Sequence, residues 1–250
     1  TPNMDRIGKG ERRYSYASWT SPSHQTILMG ISPHTSRSHV IASEVYKQDF
    51  VRWRERLDAP DLEFRSFVPH LWLPKKLRDL GYRTIGRVSL PVLNEFAGFA
   101  RDFHDYRLMD DHNDFGGMIE EMEFPAAQPM FYFFNLGETH YPYMLSKEEA
   151  PVFHGFHGVV KRLDEAKKES GPGQEFYTVE ALRRFHDQQV RCVEHVDVLL
   201  GRLLERAPEN THLIVTSDHG ELFGEDGYFG HGPIFHEKVF EVPFLEGVRP

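Results

Sequence analysis

The chain has 250 residues, 40% of them hydrophobic and 27% charged, enough to bury a substantial core, and its length suits one large α/β domain as well as two small ones. A net charge of -9 excludes broad nucleic-acid binding, which needs a basic surface to meet phosphates; a small phosphate-bearing substrate remains open, because a buried cation can supply positive charge locally. The single cysteine, Cys192, excludes an internal disulfide framework, and no apolar run approaches the roughly 18 residues that a membrane helix needs.

In chain order, residues 1–19 are polar and irregular and end in an aromatic-interleaved stretch. Pro22 suits the first turn of a helix that runs through Ile27 and Leu28 to Gly30. Further helices are predicted over 43–57 and 74–80, the latter stopped by Gly81, and a strand over 82–88. Residues 101–128, rich in Asp, His and Gly, read as a surface excursion. The continuous apolar run 130–136 reads as a strand buried on both faces. Residues 145–175 are charged and close on Gly171-Pro172-Gly173, a loop signal. Val193, Val196, Leu199, Leu200 and Leu203 stand at helical spacing and predict a helix over 180–206, ended by Pro208 and Asn210. Short strands follow over 212–216 and 241–245. Strands alternating with helices imply an α/β fold, a mostly parallel central sheet flanked by helices, with ligands at the carboxyl ends of the strands.

Three stretches carry candidate chemistry. Ala17-Ser18-Trp19-Thr20-Ser21-Pro22-Ser23-His24 puts hydroxyls at a helix start, where the partial positive field favours an alkoxide and an approaching anion. The same residues also suit a plain N-cap, and the spacing leaves open which of Thr20, Ser21 and Ser23 reacts. Ser217-Asp218-His219-Gly220-Glu221, with Gly230-His231-Gly232 beyond it, follows a strand. A turn there lets adjacent Asp and His converge, and their donors suit a divalent ion. In Gly137-Glu138-Thr139-His140-Tyr141-Pro142-Tyr143, His140 is placed to contact an anion or protonate a leaving group, or else to stack among the tyrosines. His154, His157, Asp110, Asp111 and Asp114 read as exposed loop residues, Trp53 and Trp72 as packing residues, and Lys75, Lys76 and Arg78 as a solvated helix face.

Taken in order, these motifs resemble the sulfatase-like enzymes of the alkaline phosphatase superfamily. Thr1-Pro2-Asn3-Met4-Asp5-Arg6 and then Thr20-Ser21-Pro22-Ser23-His24 look like the family's opening, whose nucleophile motif is Cys, Ser or Thr, any residue, Pro, Ser, then Arg or His. Gly81-Tyr82-Arg83-Thr84, the His140 loop, Asp197 with Gly201-Arg202-Leu203-Leu204, and 216–221 with Gly230-His231-Gly232, Glu237 and Val242-Pro243 are similar to the later motifs. Gly86-Arg87-Val88-Ser89 stands where many members carry Gly-Lys-x-His.

The resemblance implies Thr20 as nucleophile and as a metal contact, Asp218 and His219 as metal ligands, and His140 and His231 as catalytic residues at the substrate. It also implies Ser23, His24 and Arg87 at substrate-binding positions. The implied cofactor is a divalent metal ion (Mn, Zn or Ca), and the implied substrate a small-molecule, lipid or glycan ester. Sulfatases proper convert Cys or Ser to formylglycine, which Thr20 cannot become, so a phosphate ester is expected rather than a sulfate. The expected activity is metal-dependent hydrolysis through a covalent Thr20 intermediate. The alternatives are a phosphotransferase moving a head group between alcohols, and a non-catalytic binding module that keeps the fold. Residues 1–250 read as a single catalytic domain cut at both ends, with the family's first strand and its metal-binding aspartates expected upstream of Thr1.

Overall fold

The computed structural model of the protein describes residues 1–30, 71–145 and 178–249, together with 52, 54, 55, 58, 60 and 161–164. Most of the predicted helix over 43–57 lies outside the described residues, as do Trp53, the His154–His157 loop and Gly171-Pro172-Gly173. In chain order the elements are α1 (Met4–Ile7), β1 (Glu11–Tyr14), α2 (Thr20–Met29), α3 (Leu73–Asp79), β2 (Arg83–Val88), β3 (Asp105–Leu108), α4 (Phe115–Glu120), β4 (Met130–Asn135), β5 (Lys161–Arg162), α5 (Val179–Arg206), β6 (His212–Thr216), β7 (Leu222–Phe223), β8 (Tyr228–Gly230), α6 (Glu237–Phe240) and β9 (Glu241–Val248).

The architecture is α/β, and its parallel character is confined to one sheet ordered β3-β2-β4. There Val88 of β2 lies opposite both Leu108 of β3 and Asn135 of β4, so the carboxyl ends of β2 and β4 finish side by side. Among the described residues two antiparallel sheets accompany it, β1-β9-β6 and β5-β8-β7. The strand over 212–216 therefore belongs to an antiparallel pair with β9, with Thr216 opposite Phe244.

The segment 101–128 is not the surface excursion that its Asp and Gly content predicts. It supplies β3 and also α4, whose Phe115, Met118 and Ile119 are buried. Asp114 is the cap of α4: its carboxylate accepts the Gly117 N–H, a use of Asp at a helix start that composition alone does not separate from a loop. The buried face of α4 packs with Val196, Leu199, Leu200, Leu203 and Leu204 of α5 in the main core. Each such side chain contributes roughly 1.5–3 kcal/mol when fully buried. Thr178 starts α5 by accepting the Ala181 N–H. Asp197 faces α1 from within α5 and accepts the backbone N–H groups of Asn3 and Met4, so the predicted Asp197 motif is a docking point for the first residues.

Two smaller cores set the site. Leu28 of α2 packs with Trp72, Val88, Leu93 and Phe99, which fixes α2 against the end of β2. Tyr141, Tyr143, Leu182, Phe185, Cys192 and Phe229 clamp the loop after β4 onto α5 and β8. The run 130–135 is half-buried over most of its length, less covered than its apolar sequence predicts.

Candidate active site

Three segments converge at the ends of these sheets. Trp19, extended at φ -158°, is the N-cap of α2, and Thr20 is its first residue. Gly30 ends the helix at φ 68°, a left-handed conformation that glycine adopts without a Cβ clash. The Thr20 hydroxyl thus sits at the positive end of a ten-residue helix, 95% covered, with Oγ1 3.4 Å from His219 Nε2. One turn on, at i+4, His24 Nδ1 lies 2.9 Å from the Thr20 carbonyl oxygen and 3.5 Å from Asp218 Oδ2. A carbonyl only accepts, so Nδ1 carries the hydrogen; burial lowers the His24 pKa and keeps the ring neutral.

Asp218 and His219 form the turn after β6. The turn is pinned by the Gly220 N–H on the Val239 carbonyl and by an approach of Gly220 to the Lys238 carbonyl that leaves no room for a Cβ. The hydroxyls of Ser15 and Ser23 both donate to the Asp218 carbonyl at 2.5 Å. His219 Nδ1–H donates to the Gly220 carbonyl at 2.9 Å, which turns the Nε2 lone pair toward Thr20 and toward Asp218 Oδ2, 3.5 Å away. Burial raises the Asp218 pKa, but His219, His24 and the backbone outweigh it and hold the carboxyl below its ordinary value. Its buried Oδ2 has no hydrogen-bond partner.

An imidazole lone pair and an ionised carboxylate oxygen facing each other repel unless a proton or a cation lies between them. The donor chemistry here therefore fits a divalent ion held by Asp218 Oδ2, His219 Nε2 and the Thr20 hydroxyl. Among the described residues, no group of three or more His, Cys, Asp or Glu side chains is assembled to hold a metal, so these donors fall short of a complete shell.

The third segment brings in two more histidines. The β7–β8 hairpin folds His231 back beside Glu221, whose carboxylate oxygens lie 3.0 and 3.1 Å from His231 Nδ1. Burial lowers the His231 pKa, but the Glu221 carboxylate more than compensates and raises it. The His231 ring lies against that of His219 at a centroid distance of 4.1 Å, and His140 meets His231 edge-on at 5.3 Å. His140 Nδ1–H donates to the Tyr141 carbonyl at 2.7 Å, and burial lowers its pKa.

The predicted site residues Thr20, His24, His140, Asp218, His219 and His231 are thus gathered in one place, with three departures in role. His24, expected at a substrate-binding position, is buried with both ring nitrogens engaged by Thr20 and Asn135. Arg87 is committed elsewhere: its guanidinium donates to Asp105 Oδ2 at 2.6 Å, Glu121 Oε2 at 2.9 Å and the Gly86 carbonyl. Alternation along β2 puts it on the face opposite that of its neighbour Val88, which packs with Leu28 of α2. Ser23 is in place, but its hydroxyl seats the Asp218 backbone instead of facing outward. Sequence reasoning missed Ser15, Asn135 and the pairing role of Glu221. Glu221 stands inside the Asp-His-Gly-Glu motif and was open to detection; Ser15 and Asn135 carry no local signal.

The family described as Sulfatase matches residues 11–246. No curated protein matches the sequence. Among solved structures, the phosphonate monoester hydrolase of Agrobacterium radiobacter is similar at a TM-score of 0.60 and 15% identity, over 98% of this chain and 62% of that one. A 2-O GAG sulfatase is similar at a TM-score of 0.58 and 12% identity, over 99% and 58%. A protein in the alkaline phosphatase superfamily from Vibrio parahaemolyticus gives 0.54 and 15%, over 100% and 54%. At such identities these likenesses speak for the fold, and the chain spans about half to two thirds of the length of the structures it matches. With the match running almost end to end across the segments that hold Thr20, His140, Asp218, His219 and His231, the chain belongs to the sulfatase family.

Proposed function

We propose that the chain is the catalytic core of a metal-dependent hydrolase that cleaves phosphate esters through a covalent intermediate on Thr20. The observation that carries this reading is the Thr20 hydroxyl at the α2 N-terminus, 3.4 Å from His219 Nε2 and beside an Asp218 oxygen that no hydrogen bond satisfies. When bound, a divalent ion (Mn, Zn or Ca) supplies charge neutralisation on the ester oxygens and favours the ionised hydroxyl.

Thr20 Oγ1 gives up its proton to solvent and attacks phosphorus, the new O–P bond forms, and the bond to the leaving oxygen breaks in line. The helix N-terminus meets the charge on the non-bridging oxygens. His231, whose pKa the Glu221 carboxylate raises, gives a proton to the leaving oxygen, and His140 packs edge-on against its ring. Water then opens the phosphothreonine and Thr20 recovers its proton. A small-molecule, lipid or glycan ester fits this scheme. A threonine sulfate lacks the aldehyde exit of a formylglycine hydrate, which favours phosphate over sulfate esters. Transfer of a head group to an alcohol uses the same intermediate, and product analysis with added acceptor alcohols separates the two.

The test is to quench the protein with a model phosphodiester and locate phosphate by mass spectrometry. Phosphate on Thr20 is expected. Phosphate on Ser21 or Ser23, or faster turnover of aryl sulfates by the unmodified chain, overturns the reading.

A further inference from the structure

A line of hydrogen bonds leaves Thr20 and Asp218 and runs into the parallel sheet. We infer that Asn135 is a positioning residue: it fixes His24 as the Nδ1–H tautomer and, through that ring, holds the Thr20 backbone and the Asp218 carboxylate against the ends of β2 and β4.

Asn135 is the last residue of β4, opposite Val88, and its side chain is buried. Its Oδ1 lies 3.3 Å from the Ser89 N–H and 3.2 Å from the Leu90 N–H. Both are donors, so the oxygen of the amide must face them, and the NH2 must point the other way. There Nδ2 meets His24 Nε2 at 3.3 Å. A nitrogen that receives an N–H must present its lone pair. The opposite ring nitrogen has already been assigned a hydrogen by the Thr20 carbonyl at 2.9 Å. Two independent contacts thus select one tautomer.

The consequence lies on the Asp218 side. The Nδ1–H that reaches Thr20 also stands 3.5 Å from Asp218 Oδ2, so the polar hydrogen of His24 faces the carboxylate. The other tautomer would turn a lone pair to both oxygens. The edges of Phe99 and Phe133 leave the ring little other company: their centroids lie 6.4 and 5.7 Å from that of His24, near perpendicular. Only a side chain that accepts two backbone hydrogens and donates one fills the Asn135 position. Aspartate keeps the acceptors and loses the donor; leucine loses both.

Asn135→Asp isolates the inferred role, because its carboxylate still accepts from Ser89 and Leu90. The tautomer stands on hydrogen bonds alone, whereas any effect on turnover rests on the reading of Thr20 as nucleophile. The measurement is nitrogen NMR of the full chain labelled in histidine, with the His24 ring assigned through its own side-chain carbons. In the unaltered protein His24 should show a protonated Nδ1 and an unprotonated Nε2. In Asn135→Asp a proton should appear on Nε2. Phosphoester turnover should fall on the order of 10²-fold with KM little changed, as for a misplaced reacting group. In a His24→Gln background the same substitution should cost under about threefold, because the two residues act as one unit. An unaltered protein with Nε2 protonated or with averaged tautomers overturns the inference, whatever the enzyme does. So does an Asn135→Asp ring unchanged from the unaltered protein, or a full turnover loss in the His24→Gln background. If the ring behaves as expected and no phosphoester is turned over by any form, the positioning role stands and the proposed function fails.

Discussion

Two clusters of charged side chains in this fold, one around Arg87 and one around Asp218, are built in opposite ways. Around Arg87 every charge has a partner: its guanidinium meets Asp105 and Glu121, and Arg107 meets Glu121 from the other side. The pull of Asp105 and Glu121 outweighs burial and raises the Arg87 pKa, and the two arginines likewise hold Glu121 below its ordinary value. Around Asp218 the accounting does not close. A carboxylate oxygen, an imidazole lone pair and a threonine hydroxyl face one another, and the oxygen makes no hydrogen bond, the His24 Nδ1–H standing 3.5 Å away. A buried carboxylate without compensation costs several kcal/mol, so a sequence under selection for stability alone would replace or pair it. The closed cluster reads as scaffold and the open one as site, although both lie in motifs of the same family.

The largest expected effect breaks or keeps that contrast at once. Thr20→Ala should lower phosphoester turnover by about 10³- to 10⁶-fold while the chain remains folded, checked by steady-state rates beside a melting curve. A loss under tenfold would move the chemistry elsewhere. Next, Asp218→Asn should strip bound divalent metal, measured by elemental analysis after dialysis. The metal-free variant should melt close to the metal-free parent, because the isosteric amide breaks no hydrogen bond at Oδ2. A clear drop in its melting temperature would show that Asp218 is a structural partner after all.

Arg87→Leu should do the reverse, costing about 1–3 kcal/mol in chemical denaturation and leaving metal content where it was. The half-exposed positions of Asp105 and Glu121 keep the figure at the low end of that for a buried pair. The smallest effect is a pH dependence at Glu221 and His231. The folded-state pKa of His231 is raised, so the pair stabilises the fold fully below the ordinary histidine value, and that contribution is lost as pH rises through the raised one. The melting-temperature gap between the parent and Glu221→Gln should be widest just below pH 6.5 and narrow above it. A gap that widens with pH would mean that His231 is held neutral.

Several elements were readable from local pattern because local physics decides them. Apolar residues at helical spacing along α5, Pro22 followed eight residues later by Gly30, and the β-branched run of β6 each satisfy a backbone preference within their own segment. Where local preference and tertiary context disagreed, context won. Residues 105–120 are rich in Asp and Gly and read as loop, but β3 gains hydrogen bonds from β2, and α4 gains an apolar face on α5. Neither partner is within reach of a local window.

The site divides along the same line. Donors after a strand and hydroxyls at a helix start are properties of short segments, so 20–24 and 217–221 stand out locally; the choice of Thr20 over Ser21 and Ser23, and the roles of His140 and His231, come from the family resemblance. The roles of Ser23 and Arg87 were misplaced, since each depends on which side chain lies across a gap of many residues: Asp218 for the one, Asp105 and Glu121 for the other. Asn135 shows the limit most clearly. In sequence it is an ordinary polar end to an aromatic strand. Only the parallel register of β2 with β4, and the packing of α2 over both, put its amide between two backbone donors and one imidazole, because hydrogen-bond direction is set by position in space and not by order along the chain.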